Sequence, residues 1–162
     1  MTDVLKRNLP GLLALASAAM LAGAFGFQYI GGLDPCVLCL YQRYPHGLVI
    51  IIAGLAWLLR DLGRFSNHLT LLAGLVLLVG AGIAAFHMGV EYQWWAGTAE
   101  CGAKAQPTTL AELRAQIMAQ QITRCDEVAW SLFGISMAGY NMILSLVLAA
   151  AALCAAWTGW RR

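Results

Sequence analysis

Charge is what this 162-residue chain has least of: Asp, Glu, Lys and Arg make up 11% of it, against 60% hydrophobic residues. With a mean hydropathy of +0.70, an ordinary soluble domain of this length is excluded. A basic excess is missing as well. Ten Lys/Arg against eight Asp/Glu leave a formal net charge of +2, too small for the electrostatic footprint of a nucleic-acid-binding protein. The chain lacks an internal repeat and low-complexity segments, which excludes a solenoid and leaves one domain over residues 1–162. Among the five cysteines only Cys36 and Cys39 are close in sequence. A four-cysteine zinc site usually shows two close pairs, so no metal site is expected. Covalent haem needs a histidine straight after the second cysteine, and Leu40 stands there.

What the chain does have is long apolar runs. They cover about 9–30, 36–59, 69–88 and 135–157, each near the ~20 residues that cross a bilayer as a helix. The second reaches that length only if it starts at Cys36 and carries its polar beginning to the membrane interface. An isolated span must satisfy its own backbone hydrogen bonds, so the expectation is an all-α membrane protein, a four-transmembrane-helix bundle in the lipid bilayer. Ala16-Ser17-Ala18 looks like a signal-peptide cleavage site, but the apolar run continues well past it. Ala14, Ala18, Ala22 and Gly26 recur every fourth position, a small-residue stripe expected to let the first span pack closely.

Basic residues orient the spans. Lys6, Arg7, Arg60, Arg64, Arg161 and Arg162 flank one side with only Asp3 and Asp61. The links at about 31–43 and 89–134 carry Arg43, Lys104, Arg114 and Arg124 among six acidic residues. Both termini are therefore expected in the cytoplasm, and both cysteine-bearing links outside.

The richest stretch is Asp34-Pro35-Cys36-Val37-Leu38-Cys39-Leu40-Tyr41-Gln42-Arg43. Asp34 followed by Pro35 reads as a helix start. Cys36 and Cys39 then lie in the first turns, where the positive end of the helix dipole favours thiolate. Arg43 falls one turn beyond Cys39 on the same face. His46 has no such partner and reads as an interfacial residue. His87, at the outer end of the third span, is an ionisable group at the hydrocarbon edge and a candidate for function. Trp94 and Trp95 read as an interface anchor.

The long second outer link holds Cys101 and Cys125. Between them Thr109-Leu110-Ala111-Glu112 fits a capping box, and Leu110, Leu113, Ile117 and Met118 share one side of a short amphipathic helix. Four outer cysteines allow three pairings. The local pair Cys36–Cys39 leaves Cys101–Cys125, and the charge arrangement suits that choice. Cys154, within the fourth span, reads as a small apolar side chain without a role.

Taken together, Cys-Val-Leu-Cys-Leu-Tyr-Gln-Arg opening the second span, a cysteine pair in the second outer link, and Cys125-Asp126-Glu127 with Trp130 and Phe133-Gly134 before the fourth span resemble the DsbB family of bacterial inner-membrane disulfide bond formation proteins. The related vitamin K epoxide reductase group places its loop cysteines before the CxxC; here the CxxC comes first. The resemblance implies a thiol:quinone oxidoreductase with catalytic Cys36, Cys39, Cys101 and Cys125. Cys101–Cys125 would oxidise a periplasmic DsbA-like thioredoxin-fold partner and be reoxidised by Cys36–Cys39. Cys39, Arg43 and His87 would meet the quinone, ubiquinone or menaquinone, of the membrane pool. A structural membrane protein whose disulfides only staple outer loops is the alternative.

Overall fold

The computed structural model describes residues 3–101, 109–111, 114 and 123–160. Four α-helices dominate: α1 Asp3–Tyr29, α2 Val37–Leu58, α3 Arg64–Glu91 and α4 Met137–Trp160. A 3₁₀ turn, Arg60–Leu62, links α2 to α3. Three helices, α1, α3 and α4, are long and apolar enough to cross a membrane. Helix α2 falls short because Tyr41, Gln42, Arg43, Tyr44 and His46 crowd its first half.

Helix α3 is the centre of the packing, lying against both α2 and α4, while α1 packs mainly on α2. Leu9, Leu13, Val49, Ala53, Ala73, Leu77, Ala149 and Ala152 form the core where these faces meet. Small residues on α3 set the approach. A side chain at Gly74 would meet Ala152 Cβ at 3.0 Å, and one at Gly80 would meet Pro45 Cβ at the same distance. Gly80 is thus what lets α3 close over the proline that α2 carries in its interior. The stripe expected on α1 is displaced: Leu9, Leu13 and Ser17 are buried, whereas Ala22 is exposed. A helix that packs mainly on one neighbour buries whichever side meets that neighbour, and here the apolar leucines fit it.

The ends of the bundle differ in character. At one end Arg7 Nη2 donates to Asp61 Oδ1 at 2.9 Å, and Asn67 Nδ2 donates to the Ala156 carbonyl at 2.9 Å. The start of α1, the α2–α3 turn and the end of α4 therefore lie together there. The segments bearing Cys36, Cys39, Cys101 and Cys125 occupy the other end, with one element the all-α expectation did not include. Ser131–Leu132 and Ile135–Ser136 pair antiparallel, Leu132 opposite Ile135. Phe133 and Gly134, with φ of 50° and 77°, make the two-residue turn between them. Positive φ at both turn positions matches the right-handed twist of the strands. Tyr92 and Tyr140 hold this hairpin by donating to the carbonyls of Gly134 and Leu132 at 3.2 and 3.1 Å. The amphipathic helix expected over 110–118 lies outside the described residues as a whole. Cys154 is exposed on the surface of α4 and not buried within the bundle.

Candidate functional site

The helix start differs from the one expected at Asp34 and Pro35. Cys36 is itself the cap of α2, with extended backbone, and its sulfur accepts the Cys39 backbone N–H at 3.2 Å. The first intrahelical bond runs from Leu40 N–H to the Cys36 carbonyl at 3.1 Å. A thiol thus takes the place of the oxygen that usually satisfies a free helix N–H. Cys39 follows one turn on, and the two sulfurs lie 2.7 Å apart as free thiols. A disulfide bond is about 2.05 Å long, so the two sulfurs stand near bonding distance.

Cys101 and Cys125 are joined by a disulfide with Cα atoms 5.1 Å apart, within the range such a bridge requires. With Leu38 and Val90 they form a single buried cluster that also contains Cys36. The two pairs, 65 residues apart along the chain between Cys36 and Cys101, are therefore neighbours in space. They differ in access: Cys101 is 8% exposed and Cys125 0%. A second cavity of about 430 Å³ opens beside Cys101, walled by Gln93, Trp95, Gly97, Thr98 and Asp126. Outside the bundle, the Arg124 guanidinium donates twice to the Asp126 carboxylate, at 2.9 and 2.6 Å. It holds that carboxyl below its ordinary range, and its own proton is correspondingly harder to remove.

Polar groups of three helices converge on the inner pair. His87 of α3, 3% exposed, places Nε2 3.5 Å from Cys36 Sγ and 3.9 Å from Glu91 Oε1. Glu91 in turn accepts a short hydrogen bond from Ser136 Oγ. The His87 tautomer follows from its neighbours. Gln42 Nε2 donates to the Leu38 carbonyl at 3.3 Å, which only accepts, and the same nitrogen lies 2.7 Å from His87 Nδ1. Nδ1 is then the acceptor, and Nε2–H is shared between Cys36 Sγ and the Cys125 backbone carbonyl. Gln42 Oε1 accepts from Asn141 Nδ2 of α4 at 2.6 Å. Asn141 Oδ1 accepts from Ser145 Oγ at 3.2 Å and from His46 Nε2 at 2.8 Å. His46 is 3% exposed, so it is not the interfacial residue expected from its lack of a sequence partner. Its partner sits on α4, 95 residues further along the chain.

Arg43 makes its direct contacts to α1, while its charge still acts on Cys39. Its Nη1 donates to Gln28 Oε1 at 2.7 Å and its guanidinium lies 4.8 Å from the centre of the Phe25 ring. Its Nε is buried without a partner. Arg43, His46, His87, Cys36 and Cys39 all line one cavity of about 440 Å³ between α1, α2, α4 and the hairpin. Its other walls are largely apolar, with Met20, Leu21, Phe27, Trp130 and Leu144 among them. A long cavity with apolar walls and a few convergent polar groups is the usual form of a small-molecule site. Cys36 Sγ, Cys39 Sγ and His87 Nε2 also lie within 4.8 Å of one another, close enough to share a metal ion. In the tautomer described, however, Nε2 holds a proton and offers no lone pair to a metal.

The candidates Cys36, Cys39, Arg43 and His87 are thus brought to one cavity, with Cys101 and Cys125 packed beside Cys36. Gln42, Asn141, Ser145 and Glu91 had escaped notice. Their only signal was polarity inside or at the edge of apolar runs, and for Asn141 and Ser145 their i,i+4 spacing.

Comparison with known proteins places the chain as follows. The family model described as disulfide bond formation protein DsbB matches residues 6–155. Disulfide bond formation protein B of Polaromonas naphthalenivorans is 33% identical over 154 residues, covering 91% of this chain and 89% of that one. Disulfide bond formation protein B 1 of Burkholderia lata is 32% identical over 161 residues, covering 97% and 92%. No solved structure matches the chain.

Proposed function

Because the chain belongs to the DsbB family, whose members are disulfide bond formation proteins, we propose that it reoxidises a periplasmic DsbA-like thioredoxin-fold dithiol and passes the electrons to membrane quinone. The observation that carries this reading is the single cluster containing Cys36, Cys101 and Cys125. It gives an outer disulfide and an inner dithiol a direct path for exchange, which loop-stapling bridges have no need of.

The steps balance as successive exchanges. A thiolate of the partner attacks Cys101, the more exposed sulfur of its pair, and expels Cys125. The partner's second thiol resolves the mixed disulfide and leaves as a disulfide, with Cys101 and Cys125 reduced. These two then reduce an inner Cys36–Cys39 disulfide and recover their own bond. The inner dithiol finally gives up two electrons and two protons and closes again. Once the inner disulfide opens, Cys39 is the sulfur freed as a thiolate toward the quinone, and the helix start supports negative charge there.

The cavity fits a quinone on grounds of its own. Its walls are mostly apolar, as a membrane-soluble ring requires, and Arg43 Nε is a buried donor with no acceptor. Arg43, His87 and Cys39 would hold the ring, and a quinone supplies there an acceptor for two electrons and two protons. Sites of this kind use fixed positive charge where negative charge develops on oxygen.

In this reading all four helices span the bacterial inner membrane, α2 with its polar start at the outer surface. Both termini are cytoplasmic, since Arg7, Arg60 and Arg64 share the end of the bundle remote from the cysteines. The decisive experiment gives purified protein a reduced thioredoxin-fold oxidase and follows quinone absorbance. Stoichiometric loss of quinone with oxidation of the partner is expected. Partner oxidation that proceeds equally without quinone would overturn the reading.

A further inference from the structure

Among the described residues, His46 Nδ1 is buried without a hydrogen-bond partner, and the residue lines the cavity. The polar chain decides what kind of group that nitrogen is. The Leu38 carbonyl fixes which end of Gln42 faces His87; Gln42 Oε1 then requires Asn141 Nδ2, so Asn141 Oδ1 faces His46 Nε2. Asn141 Oδ1 only accepts, so His46 Nε2 carries a proton. A second proton at Nδ1 would be a buried donor with no acceptor, so Nδ1 is a bare acceptor.

Two buried atoms of opposite character, without partners among the described residues, therefore belong to side chains that line the same cavity: Arg43 Nε, a donor, and His46 Nδ1, an acceptor. A quinone carries only acceptor oxygens and can satisfy Arg43 alone. Its two-electron, two-proton reduction product carries hydroxyl groups, which accept from Arg43 and also donate. We propose that His46 Nδ1 accepts the hydrogen bond of a hydroquinone hydroxyl, so that the cavity holds the reduced carrier more tightly than the oxidised one. This rests on the quinone reading above and adds a residue and a preference between redox states to it. Tighter binding of the reduced form raises the potential of the bound couple, which favours electron flow from the inner cysteines. Asn141, through its bond to Nε2, is a positioning residue that keeps the acceptor bare.

The test is equilibrium binding, under anaerobic conditions, of a short-tailed 1,4-benzoquinone and of its hydroquinone. Full-length protein carrying Cys36→Ser is used, so that bound ligand is not turned over while Cys39 stays in the site. His46→Gln is the informative change, because a glutamine amide can keep the bond to Asn141 while removing the acceptor at Nδ1. Hydroquinone affinity should fall about tenfold, as for a buried acceptor lost, with quinone affinity changed less than about twofold. The midpoint potential of the bound couple then drops by about 30 mV, the equivalent of a tenfold ratio for two electrons. Arg43→Ala should instead weaken both forms. In the protein with His46 intact, the ¹⁵N resonance of Nδ1 should be that of an unprotonated nitrogen and should move with hydroquinone and not with quinone. This second reading does not depend on the variant folding. Equal loss of both affinities in His46→Gln, or unchanged hydroquinone binding, would overturn the proposal, as would a protonated Nδ1. Failure of the unsubstituted His46 protein to bind either form is a different outcome, which removes the quinone reading itself.

Discussion

Cys36 and Cys39 owe their spacing to one turn of helix, whereas Cys101 and Cys125 are brought together across 24 residues of chain. The inner pair is held locally. Its first sulfur caps α2, and its polar surroundings come from α2, α3 and α4 through His87, Gln42 and Asn141. The outer pair has no such scaffold. Cys101 follows the irregular segment after α3, where Thr98 Oγ1 reaches its sulfur at 3.4 Å, and Cys125 precedes the hairpin. A pair fixed on rigid helices can be tuned electrostatically for a small ligand. A pair on irregular chain, with a cavity at its side, is suited to an exchange that must admit another protein. In the proposed function the difference would divide the two half-reactions between the pairs, and each of the following experiments sharpens or breaks it.

The largest effects belong to the cysteines. Cys101→Ser and Cys39→Ser should each lower complete turnover on the order of 10³-fold or more, as loss of a nucleophile does. They should do so by stopping different halves. Cys101→Ser is expected to retain oxidation of the inner pair by quinone, and Cys39→Ser to retain one round of partner oxidation by the outer disulfide. Single-turnover measurements of each half separate the two. If either substitution stopped both halves, the pairs would act as one unit and the comparison would fail.

A partner lacking its second thiol tests direction within the outer pair. Non-reducing electrophoresis and peptide mapping should show it trapped on Cys101, because attack on Cys101–Cys125 expels Cys125 and the thiol that resolves the mixed disulfide is gone. A trap on Cys36 would reverse the assignment of the two pairs.

Gln42→Leu probes the scaffold of the inner pair. Without the donor at Nδ1, His87 is free to exchange tautomers and no longer commits Nε2–H to Cys36. The rate of alkylation of the reduced inner pair near neutral pH should fall about tenfold, in line with the loss of a buried hydrogen bond to a charged group. Exchange between the partner and Cys101–Cys125 should be unaltered.

Arg43→Ala should raise the quinone concentration needed for half-maximal reduction several-fold, roughly the loss of 1 kcal/mol or slightly more. Arg43→Lys should fall between, keeping charge but losing the planar fork that reaches Gln28 and lies over Phe25. Partner exchange measured without quinone should not respond to either change.

The smallest effect is one of pH on the outer segment. Arg124 holds the Asp126 carboxyl below its ordinary value of 3.8. A depressed carboxylate stabilises the fold above its unfolded value, and that contribution is lost only as pH falls through the folded one. Hydrogen-exchange protection around Arg124 and Asp126, relative to the intrinsic rate at each pH, should therefore be the same at pH 7 and pH 5 and should fall only below about pH 4. Loss of protection already between pH 7 and pH 5 would point to another titrating group there.

The sequence by itself determined the elements whose causes are local. Length and polarity of apolar runs marked the three membrane-length helices, because a helix in lipid must be apolar over a fixed distance. The i,i+3 spacing of Cys36 and Cys39 placed two sulfurs on one turn, wherever that turn would begin. Tertiary structure decided the rest. The cap fell to Cys36 and not Asp34, since its own sulfur reaches the Cys39 N–H. His46 became a buried partner of Asn141, and Gln42 the residue that sets the His87 tautomer, through contacts spanning 95 and 45 residues. Such pairings carry no periodic signal, since a single polar residue in an apolar run looks the same whether it meets lipid headgroups or another helix. What separates the two is which helix faces lie together, and that depends on small residues such as Gly74 and Gly80 admitting their neighbours.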